Sequence, residues 1–179
     1  ALAQDRGTLN LLARLGLVPG KPLRILERGE GVRVEVEGEG YLLPRALAQA
    51  VSDASPGYGA VDLLVCPPYC YLERGGDVLE GGTVLLGAQD MYHEAGGAFT
   101  GEISAAMLKD CGATFVILGH SERRHVMGET DEMVNKKTLA AHAAGLTPIV
   151  CVGELLAERE AGKTAEVCRR QFEGSLAGL

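Results

Sequence analysis

Short apolar runs alternate with helix-like patterns along the chain from about residue 61 onward. Four of these runs have the length of buried β-strands, and turn-forming or polar residues separate them: 61–68, 83–90, 114–119 and 146–153. Runs that are apolar at nearly every position indicate parallel strands that are covered on one or both faces. We therefore predict an α/β fold in which helices connect the strands of a parallel sheet.

Three segments between or after these strands have the pattern of helices. Segment 103–112 ends at a glycine and carries Lys109 in its last turn. Segment 130–145 begins with a threonine N-cap and an acidic first turn, and it ends at a glycine. Three of its residues share one helical face: Val134, Thr138 and Ala141. Segment 154–178 is predicted to be mostly helical, with an interruption near Gly162.

The first 53 or so residues have a different pattern. Segment 22–29 is a strand candidate before a Gly-Glu-Gly turn, and valines alternate with charged residues over 32–38. Strict alternation is typical of a half-exposed antiparallel strand. A helix is predicted over 44–54, with proline in its first turn, and 55–60 separates the two patterns. We therefore predict two units: a small segment, 1–54, and a second domain, 55–179.

The composition indicates a folded protein without a nucleic-acid surface. Hydrophobic residues make up 46% of the 179 residues, and the net charge is −7, whereas nucleic-acid binding favours a basic balance. No apolar run approaches the ~18 residues of a membrane span, and the N-terminus has no signal-peptide profile. Five cysteines show no paired metal spacing: Cys66, Cys70, Cys111, Cys151 and Cys168. We expect reduced, buried thiols, no metal site, no membrane contact and a cytoplasmic protein.

Polar residues follow three of the predicted strands at their carboxyl ends, where parallel α/β sheets bind ligands. They are 89–102 after the second run, 120–124 after the third, and Glu154 after the fourth. His120 begins a helical turn, and the N–H groups and positive end of a helix disfavour a charged imidazolium. We therefore predict that His120 is a neutral hydrogen-bond donor to a carbonyl or enediolate oxygen.

The neighbours of His120 have simpler interpretations. Glu122, Arg123 and Arg124 are predicted to form a salt-bridge network rather than to act as three catalysts. Ser121 is predicted to cap the following turn through its hydroxyl. The remaining histidines are placed away from the chemistry: His125 and His142 on helix surfaces, and His93 in a loop, either exposed or part of an interface.

The Gly-His-Ser-Glu-Arg-Arg motif is part of a longer family resemblance. Segment 97–124, GAFTGEISAAMLKDCGATFVILGHSERR, resembles the third and fourth βα units of triosephosphate isomerases. LGAQDMY (86–92) and PIVCVGELLAEREAG (148–162) continue the likeness, and 61–72 resembles the family's second strand. The resemblance covers roughly 61–175. It implies a partial (β/α)8 TIM barrel in which strands two to five are readable.

This resemblance implies an isomerase that interconverts dihydroxyacetone phosphate and glyceraldehyde 3-phosphate without a metal or organic cofactor. His120 matches the family's electrophile, a neutral histidine that works with a glutamate base. Glu122 matches a carboxylate near the catalytic lysine, which is a supporting role. Thr100 matches the tip of a loop that enters the neighbouring subunit. Glu102 and Arg123 match positions joined across the interface of a homodimer.

Two family motifs that carry chemistry have no counterpart in these residues. The family's first strand ends in Gly-Asn-Trp-Lys, but this sequence has no Trp, and neither Asn10 nor Asn135 lies in such a strand. The sixth-strand Tyr-Glu-Pro-Val-Trp motif, which holds the glutamate base, is missing too, as are the lid and the phosphate loop. We identify no substrate-binding residue for the phosphorylated triose. We expect this chain to carry the histidine half of the site and to be weak or inactive alone.

Residues 8–51 resemble the SH3-like C-terminal domain of iron-dependent repressors and ferrous-iron transport accessory proteins. The Leu-Gly-Leu-Val-Pro-Gly turn and the following valine alternation carry this likeness. It suggests a fusion or chimera, although the segment could instead replace the first barrel unit. Two other functions stay open. One is a non-catalytic assembly module with open sheet edges, and the other is a regulator that binds a partner through its first 50 residues.

Overall fold

The structure, a computed structural model, describes residues 62–179 without a gap and five shorter stretches before them: 23–28, 32–36, 49, 51–53 and 55–58. Residues 51–53 are helical, in agreement with the end of the helix predicted over 44–54, and the predicted first turn of that helix lies outside the described residues. The Leu-Gly-Leu-Val-Pro-Gly turn and the Gly-Glu-Gly turn lie outside them as well.

Two antiparallel strands lie in the N-terminal part. β1 spans Leu23–Arg28 and β2 spans Val32–Val36. Leu23 pairs with Val36 and Arg28 with Val32, and the register shifts once between Ile25 and Glu27. The antiparallel pairing predicted from the valine alternation is confirmed.

A four-stranded parallel sheet forms the larger part of the described fold. Its strands follow chain order as β3–β4–β5–β6, and their bounds are Leu63–Val65, Val84–Ala88, Phe115–Leu118 and Thr147–Val150. Each strand lies inside one of the four predicted runs. β3 is short because Pro67 and Pro68, which follow it, have no N–H to donate to a neighbouring strand.

Six α-helices lie within residues 62–179. They are α1 Leu72–Leu79, α2 Ala105–Asp110, α3 Ser121–His125, α4 Asp131–Ala143, α5 Leu156–Glu160 and α6 Thr164–Leu176. α2 and α4 confirm two predicted helices, and Gly112 and Gly145 adopt positive φ angles directly after them. The predicted break near Gly162 separates α5 from α6.

The sequence pattern did not predict α1, because two adjacent glycines interrupt it. A Cβ on Gly76 would lie 2.6 Å from the carbonyl oxygen of Cys111, and one on Gly75 would touch Pro67. Glycine lowers helix propensity by about 1 kcal/mol relative to alanine. Close packing therefore requires glycine at position 76, although helix propensity disfavours it there.

The core lies between the sheet and the helices that cover it. Val116 and Leu118 of β5 and Leu108 of α2 are fully buried. On α4, the three residues predicted to share one face are also fully buried: Val134, Thr138 and Ala141. The helical spacing in the sequence therefore identified the buried face of α4 correctly.

The start of α4 depends on a side-chain cap. The Thr130 hydroxyl accepts a hydrogen bond from the backbone N–H of Met133 at 3.2 Å. We expect Thr130→Ala to lower the free energy of unfolding by about 1 kcal/mol, measured by urea denaturation. Thr130→Ser is the control because it keeps the hydroxyl acceptor. Equal losses in both variants would show that the cap bond does not stabilise the helix.

Candidate active site

The end of β5 places His120 at the carboxyl edge of the sheet. Gly119 follows the strand with φ +64°, and His120 is the N-cap residue of α3. A Cβ on Gly119 would lie 2.8 Å from Nη2 of Arg124. This position therefore requires glycine both for its backbone angle and for space. The chain turns here from a buried strand directly into a polar helix.

The His120 ring caps its own helix. Its Nδ1 accepts a hydrogen bond from the backbone N–H of Glu122 at 3.4 Å, and the side chain is 46% exposed. In a neutral ring, a nitrogen that accepts this bond carries no proton, and the ring proton then lies on Nε2. That His120 acts as a neutral hydrogen-bond donor stays a prediction. The predicted hydroxyl cap by Ser121 is wrong, because His120 occupies the cap position and Ser121 is the first residue of the helix.

Glu122 lies apart from the charges of Arg123 and Arg124. Its Oε2 is 3.7 Å from Nδ1 of His120, and its side chain is 81% exposed. The predicted network of these three residues is therefore wrong in its membership, since the two arginines pair with other carboxylates. The supporting role of Glu122 toward a lysine stays a prediction.

Arg123 forms ion pairs with two buried carboxylates. Its Nη2 lies 2.9 Å from Oδ2 of Asp90, and its Nε lies 2.6 Å from Oε1 of Glu129. Lys137 completes the group, since its Nζ donates to both Asp90 oxygens at 2.8 Å and also to Glu129 Oε1. We call these four residues the buried charge cluster: Asp90, Arg123, Glu129 and Lys137.

Electrostatic effects differ between the two carboxylates of the buried charge cluster. Burial raises the pKa of Asp90, and this effect exceeds the lowering effect of the Lys137 hydrogen bonds. Burial also acts to raise the pKa of Glu129, but hydrogen bonds from Lys137 and Arg123 outweigh it and hold that pKa below its usual value. Oε2 of Glu129 is buried without a hydrogen-bond partner. Lys137 and Arg123 therefore offset the cost of burial for Glu129 and only part of it for Asp90.

Arg124 joins four elements through its side chain. Its Nε donates to the Gly119 carbonyl at 2.7 Å, and its Nη1 lies 2.6 Å from Oδ1 of Asp131. Its Nη2 donates to the Cys151 carbonyl at 3.1 Å and to the Ser175 hydroxyl at 3.0 Å. The guanidinium therefore connects the ends of β5 and β6 to α4 and α6. Arg124 is therefore a buried structural contact of the site, and its ion-pair partner is Asp131 rather than Glu122.

The end of β6 carries a second polar group. Glu154 Oε1 accepts hydrogen bonds from Nε of Arg159 at 2.6 Å and from Oγ1 of Thr164 at 3.1 Å. The Arg159 bond lowers the pKa of Glu154. The side-chain amide of Gln171 donates to and accepts from the backbone of Gly153. These bonds fix the segment after β6 against α5 and α6.

Comparisons with known proteins agree with this geometry. The profile of the family described as triosephosphate isomerase matches residues 40–179, more than half of the chain. The chain belongs to the triosephosphate isomerase family. Its relatives include the triosephosphate isomerase of Herpetosiphon aurantiacus, 51% identical over 79% of this chain and 55% of the relative. That of Rhodopirellula baltica is 53% identical over 75% of this chain and 53% of the relative. The chain thus spans about half the length of these curated relatives.

A solved structure supports the same fold. The crystal structure of triosephosphate isomerase from Bartonella henselae superposes with a TM-score of 0.73 and 42% sequence identity. The superposition covers 79% of this chain and 59% of that one. The parallel sheet is therefore part of a TIM barrel, as predicted. The resemblance recognised over roughly 61–175 is confirmed, and the triosephosphate isomerase profile extends it to residues 40–179.

A second family matches the N-terminal part. The profile described as FeoA domain matches residues 1–52. FeoA domains are SH3-like, so the resemblance seen over 8–51 is confirmed. The two profiles overlap over 40–52, and a boundary between units at residue 54 stays a prediction.

The loop residues assigned to a triosephosphate isomerase dimer interface are accessible. Thr100 and Glu102 are exposed, and the ring of Phe99 near them packs at a tilt of 50° against Tyr92, with ring centroids 4.8 Å apart. Arg123 forms its ion pairs within its own chain. An interface role for Thr100, Glu102 and Arg123 stays a prediction.

The other three histidines and the five cysteines differ in how far they are exposed. His125 and His142 are exposed, as predicted, while His93 is partly buried, with its Nε2 3.6 Å from Oε1 of Glu94. The five cysteines are free, but none of them is fully buried, so the expectation of buried thiols is wrong. Burial raises the pKa of Cys66 to about 11, which keeps that thiol protonated at neutral pH.

Sequence reasoning missed three members of the buried charge cluster: Asp90, Glu129 and Lys137. Helical spacing could have found Lys137, because it lies between Val134 and Thr138 on the buried face of α4. A lysine on such a face needs a carboxylate partner.

Across residues 62–179 and the described stretches before them, no helix is long and apolar enough to span a membrane.

Proposed function

We propose that this chain supplies the electrophilic histidine of a triosephosphate isomerase, which interconverts dihydroxyacetone phosphate and glyceraldehyde 3-phosphate. The observation that carries the proposal is the hydrogen bond from the Glu122 N–H to His120 Nδ1. With a neutral ring, this bond leaves the Nε2–H free to donate at the carboxyl ends of the strands, where TIM barrels hold their substrates. We further propose that the protein acts in the cytoplasm as a homodimer whose contacts include Thr100, Glu102 and Arg123.

In the proposed reaction, His120 Nε2–H donates a hydrogen bond to the carbonyl oxygen of the triose. Negative charge grows on that oxygen while a base removes the proton from the neighbouring carbon. A donor already in place stabilises this charge without rearrangement during the reaction. A neutral imidazole can donate to the oxyanion through Nε2–H while its Nδ1 still accepts the bond from the Glu122 N–H. Glu122 is proposed to support the substrate lysine of the family.

We propose that these 179 residues contribute one half of the site. The family's lysine and glutamate base have no matching motif among them. General acid–base catalysis contributes about 10²–10⁴-fold to a rate, and the lysine adds substrate binding. We therefore expect the polypeptide of residues 1–179 to be at least about 10²–10⁴ times slower than an ordinary isomerase of the family.

A coupled isomerase assay on the purified 179-residue polypeptide tests this expectation. The comparison sample adds a second polypeptide that carries the first-strand Gly-Asn-Trp-Lys and sixth-strand Tyr-Glu-Pro-Val-Trp units of the family. We expect turnover to rise strongly on mixing. Ordinary turnover by the 179-residue polypeptide alone would overturn the half-site proposal. Absence of turnover in a mixture that forms a stable complex would contradict the isomerase assignment of this chain.

A further inference from the structure

The carbonyl before His120 is held by a single buried side chain. Arg124 is 9% exposed, and its Nε donates to the Gly119 carbonyl at 2.7 Å. The Arg124 backbone N–H also donates to the His120 carbonyl at 3.0 Å. The same residue therefore contacts the peptide groups on both sides of the His120 α-carbon.

The Nη1 and Nη2 atoms of Arg124 bond to three groups outside the His120 segment: Asp131, Cys151 and Ser175. Asp131 lies in the first turn of α4, which Thr130 caps, and Ser175 lies in α6 and is fully buried. Cys151 follows β6, the strand next to β5. A planar guanidinium makes its hydrogen bonds in fixed directions. Its three outer contacts therefore define where its fourth contact, at Gly119, can lie.

The helix that His120 caps is too short to fix the ring by itself. α3 has five residues, Ser121–His125, which is little more than one turn. Short helices are marginal without tertiary contacts. Arg123 also anchors α3, but its partners belong to the buried charge cluster. Among the described residues, Arg124 is the only one whose side chain hydrogen-bonds to the peptide group between Gly119 and His120.

We propose that Arg124 is the positioning residue of His120, which rests on the proposed function of His120 as electrophile. Its guanidinium fixes the Gly119 peptide against the end of β6, and this sets the direction in which the His120 ring leaves the backbone. A misplacement of about 1 Å in a catalytic group can lower a rate by about 10²-fold. Arg124 acts through His120 and needs no contact with the substrate.

The test measures the bond between the Glu122 N–H and His120 Nδ1 by NMR in the ¹⁵N-labelled 179-residue chain. Protonation of Nδ1 at low pH removes the acceptor, so the Glu122 amide resonance reports both the contact and the ionisation of His120. In Arg124→Lys, which keeps the positive charge but cannot form the fork of bonds, we expect this amide to shift toward an unbonded position. We also expect it to lose its dependence on the ionisation of His120.

Two further variants keep the test decisive. Asp131→Asn removes the charged partner of Arg124 while leaving the Gly119 contact available, and we expect a smaller shift of the same resonance. Ser104→Ala is the control for a general loss of stability. It removes an N-cap bond at α2, far from this contact in sequence, and should lower the free energy of unfolding by about 1 kcal/mol. It is expected to leave the Glu122 amide unchanged. Asp131→Asn decides the question if Arg124→Lys does not fold.

Two results would overturn the proposal. One is an unchanged Glu122 resonance in the folded Arg124 or Asp131 variants. The other is an equal shift in Ser104→Ala, which would mean that general loss of stability moves His120. The measurement uses no substrate, so it stands apart from the isomerase assay. A chain that never turns over a triose can still show whether Arg124 orients His120.

Discussion

His120→Asn is expected to lower kcat about 10²–10³-fold in an assembly that turns over triose phosphates, the loss typical of removing one preorganised oxyanion donor. Asparagine is a favoured N-cap residue, so its side-chain oxygen can accept the Glu122 N–H that His120 Nδ1 now accepts. α3 should therefore persist. The shorter asparagine cannot reach the position of Nε2, so the donor to the substrate oxygen is lost while the helix remains.

The assembly for this experiment is the 179-residue chain mixed with the polypeptide that supplies the family's lysine and glutamate units. We expect KM to change less than kcat, because the donor acts mainly as charge develops on the substrate oxygen. His142→Asn is the matched control, since His142 is exposed in the last turn of α4. A parental kcat for His120→Asn in a folded assembly would exclude His120 as the electrophile.

The parallel sheet could be predicted from the sequence, because the local pattern and the packing of the fold favour the same residues there. β5 is an apolar run followed by a glycine, and α4 has a threonine cap, an acidic first turn and a terminal glycine. The sequence pattern did not predict α1, because helix propensity and packing favour different residues there. Its propensity is poor at Gly75 and Gly76, yet the approach of Cys111 leaves no room for a side chain at Gly76. Such a contact joins positions far apart in sequence and leaves no periodic signal.

The candidate site shows the same division. The position of His120 after a buried strand was readable, because the carboxyl ends of parallel strands share one edge of the sheet. The cap was misassigned to Ser121, since serine is an ordinary cap residue and the rule does not include an imidazole acceptor. The partners of Arg123 and Arg124 were not readable, because their carboxylates, carbonyls and hydroxyl come from several separate elements.

Lys137→Met is expected to lower the free energy of unfolding by about 3–5 kcal/mol, the usual cost of breaking a buried ion pair on one side. The Lys137 and Asp90 side chains are 4% and 5% exposed, and the Glu129 side chain is 3% exposed. Removing the ammonium group leaves Arg123 to balance two buried carboxylates. Methionine fills similar volume, so the loss should come from charge rather than from a cavity. Urea denaturation measures it.

Lys136→Met is the control for the neighbouring position. Lys136 is exposed and pairs with Glu132 at i,i+4 over 3.0 Å, an arrangement worth about 0.3–0.5 kcal/mol. The double variant Lys137→Met with Asp90→Asn should recover part of the lost stability, because it removes one of the two carboxylates that Arg123 alone would otherwise balance. Equal losses for Lys136→Met and Lys137→Met would refute the importance of the buried charge cluster.

Removing Lys137 should reverse the sign of the Glu129 contribution to the pH dependence of the free energy of unfolding. In the parent chain the folded-state pKa of Glu129 is lowered. Its contribution to stability is therefore complete above the unfolded pKa and is lost as the pH falls through the folded pKa. Without Lys137, burial becomes the larger effect and raises that pKa, so acid should restore stability instead of removing it. The raised pKa of Asp90 acts in the same direction in the variant. Urea unfolding of both chains between about pH 3 and pH 7 measures how the free energy of unfolding changes with pH, and equal changes in the two chains would exclude Lys137 as the group that keeps Glu129 ionised.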